Sequence, residues 1–373
     1  TGKFVVPGLF DCHTHLAFLK TEGEKDPQKG LQAFVSKGIT QVRDVGGPLN
    51  VLNQMNKRIS SGEILGPELF FTGPMLEKSP LLWKDFNKIL PGFTVAINTK
   101  EDVDKMLPEL SNNGACLVKT FNKFDKDVYK YLTEVARKYS LKVVHDPGTI
   151  LFHEMPMDRA IELGVTSIEH GKAPWPVVLT DDLQKKHDEL LADKADEPER
   201  KAFLSRVSKL GIESVSTKKL QKLISMMVEN NVFFCPTLQV FPRMAEPEFP
   251  ENMPEEEKAM KRQNLRALVQ VSDYFTREIA RQNVKILVGQ DGILPEGTFA
   301  ETRLLKEVGL SESEIIKGAT IYPAQWLGVE DRLGSISPGK QANLLVLEKN
   351  PLEDIDNLRS TFLVTLNGKV VFH

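Results

Sequence analysis

Short apolar runs, each closing on a polar residue, recur along the chain at Val5–His15, Ile39–Asp44, Leu69–Gly73, Ala115–Lys119, Leu141–His145, Val165–His170, Val232–Thr237 and Val284–Asp291. Near-continuous apolar runs of this length read as strands covered on both faces. Between them the spacing turns helical. Asp102–Asn112 carries Val103, Met106, Leu107 and Leu110, and Asp127–Tyr139 carries Val128, Tyr131, Leu132, Val135 and Ala136. Met157–Leu163 and Glu301–Val308 continue the series. Several runs open after a glycine, as in Lys37-Gly38-Ile39-Thr40 and Leu163-Gly164-Val165-Thr166, which is how a helix C-cap feeds the next strand. Eight such runs alternating with helices predict an α/β fold with a parallel sheet, and eight strands close a (β/α)8 TIM barrel. An open doubly wound sheet is the alternative. The chain has no G-x-G-x-x-G after a strand, the signature that would favour it.

Two stretches depart from the alternation. Asp181–Lys209 is densely charged with both signs mixed and reads as a solvated helical excursion, or as a lid over the barrel mouth. Pro247–Arg266 reads as a second exposed helix entered through Pro254. After Ile321-Tyr322-Pro323-Ala324 the character becomes β-rich. Leu333–Lys340 reads as a turn-rich strand, Ala342–Leu347 as a short apolar strand, and Phe362–Phe372 as a hairpin turning at Asn367-Gly368. The expected division is a barrel over 1–325 and C-terminal strands over 326–373. A unit that small is marginal alone, so it is expected to form a small composite β-sandwich from the chain termini. Thr1 to Pro7 already reads as a strand, so further strands are expected upstream of Thr1, and the compartment is left open.

Composition narrows the partners. With 48 basic and 51 acidic side chains the formal charge is −3, which offers no electrostatic footprint for nucleic acid or an anionic membrane surface. No apolar run approaches the roughly 20 residues needed to span a bilayer. A small-molecule substrate is the expected partner, and a homo-oligomer is left open. The three cysteines, Cys12, Cys116 and Cys235, are far apart and each sits in an apolar run, so they read as buried small hydrophobes.

The candidate chemistry sits at the strand ends. In Asp11-Cys12-His13-Thr14-His15 the two histidines, at i and i+2, project from one face of an extended segment and can grip one ion. Lys119, His145, His170 and Asp291 close later runs. In a (β/α)8 barrel the C-terminal strand ends surround one mouth, where active sites lie. Four of the seven histidines fall at such ends, whereas His153, His187 and His373 do not. For each histidine taken singly, the bland reading is a satisfied structural residue; the joint placement points to a shared metal site. Imidazole and carboxylate without thiolate suit zinc, and also iron, cobalt or manganese. Lys119 is expected in the mouth, where desolvation and nearby cations lower an amine's pKa. A neutral amine reacts with carbon dioxide, and the resulting carbamate could bridge two cations; an ordinary ion-paired lysine is the alternative. Asp291 is expected to take a proton from water and return it to a leaving amine. Arg43 and Lys172 are candidates to hold a substrate carboxylate, and Thr237, Gln239 and Tyr322 are candidate pocket walls. Asp11 is read on the same strand face as His13.

These motifs resemble the amidohydrolase superfamily, metal-dependent hydrolases on a (β/α)8 barrel, over nearly all of the chain. Pro7-Gly8-Leu9 through His15 is similar to the family's first-strand signature, and Gly38–Gly47, with Val42-Arg43-Asp44, to its second-strand segment. Ser167-Ile168-Glu169-His170-Gly171 resembles the sixth-strand ligand motif. Ala319-Thr320 with Pro323-Ala324, then Leu333-Gly334-Ser335-Ile336 and Pro338-Gly339-Lys340, resemble the return into a β-sandwich. The branch it looks most like holds imidazolonepropionase and the prolidase-like dipeptidases. The resemblance implies a binuclear metal centre of two divalent ions, taken as zinc. His13 and His15 would bind one with Asp291, a carbamylated Lys119 would bridge, and His145 and His170 would bind the second. The chain departs from the pattern at Gln290 and Gly292 around Asp291, at Asp146-Pro147-Gly148 after His145, and at Ala342-Asn343-Leu344.

The first reading of function is therefore a metal-dependent amidohydrolase that uses activated water to cleave an amide-type C–N bond, in a dipeptide or an N-acyl amino acid. A mononuclear deaminase or an imidazolonepropionase-like cyclic-amide hydrolase is the second; the glutamate that a resemblance to deaminases would imply shortly after His145 is not found in Asp146-Pro147-Gly148-Thr149. A non-catalytic scaffold of the same fold is the third, and the retention of all six ligand types argues against it.

Overall fold

The structure, a computed structural model, describes residues 2–20, 27–121, 123–148, 154–192, 197–241 and 249–373. Thr1, Thr149 and His153 lie outside them, as do parts of the two charged stretches. In chain order the described strands are β1 (Phe4–Pro7), β2 (Leu9–Thr14), β3 (Ile39–Asp44), β4 (Glu68–Phe71), β5 (Met75–Glu77), β6 (Thr94–Ala96), β7 (Leu117–Phe121), β8 (Lys142–Asp146), β9 (Ser167–Glu169), β10 (Phe233–Cys235), β11 (Leu344–Leu347), β12 (Thr361–Leu366) and β13 (Lys369–Phe372).

Two sheets are wholly parallel: β2-β3-β4, and β10-β9-β8-β7-β5-β6. Every residue of β2, β3 and β7 is buried, the polar ones included, as in strands covered on both faces. Helices cover the outside. Lys126–Lys138 buries Val128, Tyr129, Leu132, Val135 and Ala136, and its N-cap Asp125 accepts from the amides of Asp127 and Val128. Lys100–Asn112 starts in a capping box between Thr99 and Asp102.

The strand pairing draws two sheets, not the single eight-stranded ring expected from the sequence. The segment 284–291 is the reason on one side. It bonds to both neighbours, but too sparsely to extend a ladder: Leu287 N–H donates to Phe234 O (2.8 Å), Cys12 N–H to Val288 O (2.8 Å) and Asp291 N–H to His13 O (2.8 Å). On the other side Cys116 N–H donates to Phe71 O (3.2 Å). One buried cluster nevertheless collects Phe10, Cys12, Phe70, Leu117, Val144, Phe233, Cys235 and Leu287 from both sheets and the 284–291 segment, and Ala324, Trp326 and Leu333 close it at one end.

The termini meet in a separate antiparallel sheet of order β1-β11-β12-β13, with Val5 opposite Val346 and Leu345 opposite Val364. The β12–β13 hairpin turns at Asn367-Gly368, both at positive φ (49° and 76°), the geometry of the tight turns that Asn-Gly favours. Leu333–Lys340 forms turns and no strand. The charged stretches fold as helices at Asp181–Ala192, Glu197–Leu210 and Glu255–Ala280. The last is longer and deeper than expected, burying Val271, Phe275 and Ile279 in its second half.

Candidate active site

The end of β2 presents two imidazoles whose outer nitrogens are already engaged. His13 Nδ1 lies 2.7 Å from Glu169 Oε2, and His15 Nδ1 lies 2.9 Å from the Gly46 carbonyl. An acceptor at Nδ1 fixes the tautomer that leaves Nε2 with a free lone pair. Both Nε2 atoms then converge on one carboxylate: His15 Nε2 is 3.1 Å and His13 Nε2 3.5 Å from Asp291 Oδ1. The three ligating atoms lie within 4.8 Å of one another. Two imidazoles and a carboxylate with open lone pairs fit a divalent cation of the zinc type. A second close group, His13, Glu169 and Cys235, lies deeper. Burial pushes the Cys235 thiol well above its ordinary range and keeps it protonated, which makes it a poor ligand.

Asp291 reaches this position because the chain turns left-handed there, at φ 58°. His170 (φ 72°) and Thr237 (φ 47°) do the same at the ends of β9 and β10. Each such non-glycine residue costs of order 1–3 kcal/mol, and they concentrate where a site must aim side chains. His170 Nδ1 is 2.7 Å from Thr237 Oγ1 and 3.8 Å from Asp291 Oδ2, while its Nε2 is 3.0 Å from Asp146 Oδ2. The His13 and His170 ring centroids are 5.0 Å apart. Lys119, on β7, lines the same cavity with Asp146, His170, Lys172 and Asp291.

The electrostatics follow from burial opposed by close charges. Burial, reinforced by Lys119, lowers His13 to about 3. Burial also opposes ionisation of Asp291, but His13, His15 and His170 outweigh it and hold the carboxyl well below its ordinary range. At Asp146, His170, Lys119 and Lys172 outweigh burial in the same way.

Three expected site residues stand elsewhere. His145 is not brought to the cluster. Its Nδ1 lies 2.9 Å from Thr120 Oγ1 and its Nε2 3.0 Å from the Met155 carbonyl, with the ring edge-on to Tyr129 on the covering helix. The physical reason is strand parity: Val144 points into the interior cluster, so Asp146 faces the same way and His145 faces outward. Arg43, expected at a substrate carboxylate, is 1% exposed. It is the penultimate residue of β3, pairs with Glu169 Oε2 at 2.7 Å, bonds the Cys12 carbonyl and sits over the Trp326 ring, so it points into the interior. Tyr322 packs against the interior cluster near Trp326, with Lys285 over its ring, and does not line the cavity.

Lys172 does line the cavity, and Thr237 reaches it through His170. Gln239 bonds the Gln290 carbonyl (3.2 Å). Asp11 does not meet the His13 ring. A register shift between Asp11 and Thr14 turns its carboxylate to Gln290 and Thr298, where it accepts from Gln290 Nε2 and Thr298 Oγ1, each at 2.6 Å. Residues that the sequence reading passed over are Glu169, adjacent to a singled-out histidine, and Asp146, noted only as a departure from a pattern. An acidic residue two positions beyond an interior valine was the available signal for Asp146. No described residue of 181–210 lines the cavity.

The amidohydrolase family model matches residues 201–371. A stretch of 90 residues is 31% identical to a 5-methylthioadenosine/S-adenosylhomocysteine deaminase of Teredinibacter turnerae, covering 21% of this chain. The chain thus spans about a fifth (20%) of the length of the curated relative it matches. Among solved structures, a Xaa-Pro dipeptidase with bound methionine superposes with TM-score 0.71 at 21% identity, over 99% of this chain and 87% of that one. A prolidase described as putative, from Bifidobacterium longum, gives 0.71 at 22%, over 100% and 81%. The A. niger ochratoxinase gives 0.71 at 19%, over 98% and 82%. At these identities the likeness is one of fold. Together the family match and the shared fold bear out the resemblance to the amidohydrolase superfamily.

Proposed function

We propose that this chain is a metal-dependent hydrolase of an amide-type C–N bond, with a dipeptide or an N-acyl amino acid as substrate. The observation that carries the reading is the convergence of His13 Nε2, His15 Nε2 and Asp291 Oδ1 at the ends of distant segments. We further propose that the two parallel sheets and the 284–291 segment form one (β/α)8 barrel over 1–325, with 326–373 contributing to a small terminal β unit. The interior cluster shared by both sheets supports this closure.

In this reading His13, His15 and Asp291 hold a first divalent ion, taken as zinc. Lys119, as its carbamate, and His170 would hold a second, with Asp146 beside His170 in the place expected of His145. A divalent cation held there supplies Lewis acidity, which lowers the pKa of a water and polarises a carbonyl. Asp291 takes the proton of the attacking water and returns it to the leaving nitrogen, which departs as the amine. Thr237 fixes the His170 ring through the 2.7 Å contact. Lys172, on the cavity wall, holds the substrate carboxylate.

The test is turnover of dipeptides and N-acyl amino acids by metal-loaded protein. Hydrolysis is expected, and Asp291→Asn is expected to lower kcat by about 10³-fold or more, because acid–base and ligand roles are removed together. A fully metallated protein inactive on every C–N substrate contradicts the reading. One observation favours a second reading, a mononuclear hydrolase or deaminase: His145 is turned away, and a single three-donor group faces the cavity among the described residues. Metal analysis separates the two, with two equivalents per chain supporting the binuclear site and one the mononuclear site.

A further inference from the structure

The site opens into a cavity of about 320 Å³, a size that holds a small organic ligand. One wall is a chain of aromatic rings drawn from separate parts of the sequence. Phe93 lies 5.9 Å from His15, 5.4 Å from Phe18 and 5.2 Å from Phe86, and Phe86 lies 5.4 Å from Trp83. The contacts are tilted, edge-to-face and stacked, the arrangements in which aromatic rings attract one another. Trp83 is 38% exposed, whereas Trp175 and Trp326 are 1% and 3% exposed. A half-exposed indole at the end of a row of phenylalanines leaves apolar surface facing the cavity. The cavity lining also carries Lys172, whose ammonium lies 5.7 Å from the Phe241 ring. The cavity therefore pairs an apolar wall with a cation, beside the carboxylates of Asp146 and Asp291.

Resting on the hydrolase reading above, we propose that these rings form a substrate subsite, and that the substrate is an amide joining an aromatic or comparably large apolar group to a part that bears a free carboxylate. The ring packs on Trp83, Phe86 and Phe93, and the carboxylate meets Lys172. A short polar amide leaves the wall wet and gains nothing from it. The same apolar surface makes an aromatic acyl or amino-acid group the better ligand.

The experiment compares kcat/KM of the metal-loaded enzyme on N-acetylglycine, N-acetylphenylalanine and N-benzoylglycine. At least one aromatic substrate is expected to exceed N-acetylglycine by about tenfold or more, since burying a ring outweighs a single methylene, itself worth about tenfold in an apolar pocket. Trp83→Ala is expected to shrink that ratio several-fold. Lys172→Met is expected to lower kcat/KM for N-acetylphenylalanine while changing little for its carboxamide analogue. Binding is read without turnover from the tryptophan emission of the Asp291→Asn protein, which N-benzoylglycine is expected to shift through Trp83. Turnover of all three substrates with no aromatic preference, or an unchanged ratio in Trp83→Ala, overturns the subsite and leaves the hydrolase reading standing. No turnover of any amide overturns both.

Discussion

Asp11 lies fully buried, with Thr298, Gln290 and the amide of His13 around its carboxyl, and burial pushes its pKa up to about 6. A carboxyl raised in the folded state holds its proton after the unfolded chain has released it. Its stabilising effect is therefore complete below the unfolded value near 3.8 and is lost as pH rises through about 6. Two units correspond to roughly 3 kcal/mol. Urea unfolding of wild type and Asp11→Asn at pH 4 and pH 7 is expected to show wild type losing about that much relative to the variant. A difference that stays flat, or grows in favour of wild type, contradicts the assignment. At this scale the sequence was legible where residue type and strand end coincided, as at His13, His15, His170 and Asp291. It was misleading where only one of the two could be judged. His145, next to last in its strand, faces outward, and Arg43, likewise next to last, has the right chemistry but points into the interior, over Trp326.

At the scale of elements, the left-handed turns at His170, Thr237 and Asp291 close three neighbouring segments onto one point. Such conformations in non-glycine residues leave no mark in hydrophobic periodicity, which is why the strand ends could be placed but not the directions of their side chains. Below them Arg43 and Glu169 tie β3 to β9 across the interior, and Glu169 also holds His13. Removing one member of a buried pair leaves the other unpaired at a cost of about 3–5 kcal/mol. Glu169→Ala is expected to lower the free energy of unfolding by that amount. A change within about 0.5 kcal/mol, the range of an exposed substitution, contradicts the pairing. The helices were legible from their apolar spacing, and Lys126–Lys138 starts and ends within one residue of the expected Asp127–Tyr139. The helix Pro295–Glu307 begins six residues before the expected Glu301, because its first turn carries proline, glycine and threonine, which weaken the periodic signal.

For the whole molecule, alternation of strands and helices made the parallel α/β architecture legible, and the Asn-Gly turn disclosed the terminal hairpin. The closed eight-strand ring expected from the sequence is not drawn by the strand pairing, because 284–291 makes its bonds as scattered links to Phe234, Cys12 and His13. Hydrogen exchange tests whether those links bind the sheets into one unit. The amides of Cys12, Leu287 and Asp291 are expected to exchange as slowly as those of β7 and β8, through global unfolding. Exchange faster by orders of magnitude would mean that the sheets open independently. The proposed function rests on a narrower point, the meeting of His13, His15 and Asp291 around a cation. The most direct measurement is an anomalous difference map from crystals of the zinc-loaded protein. The expected result is a peak about 2.0–2.2 Å from His13 Nε2, His15 Nε2 and an Asp291 oxygen. Zinc bound elsewhere, or no peak in that triangle from fully loaded protein, contradicts the account.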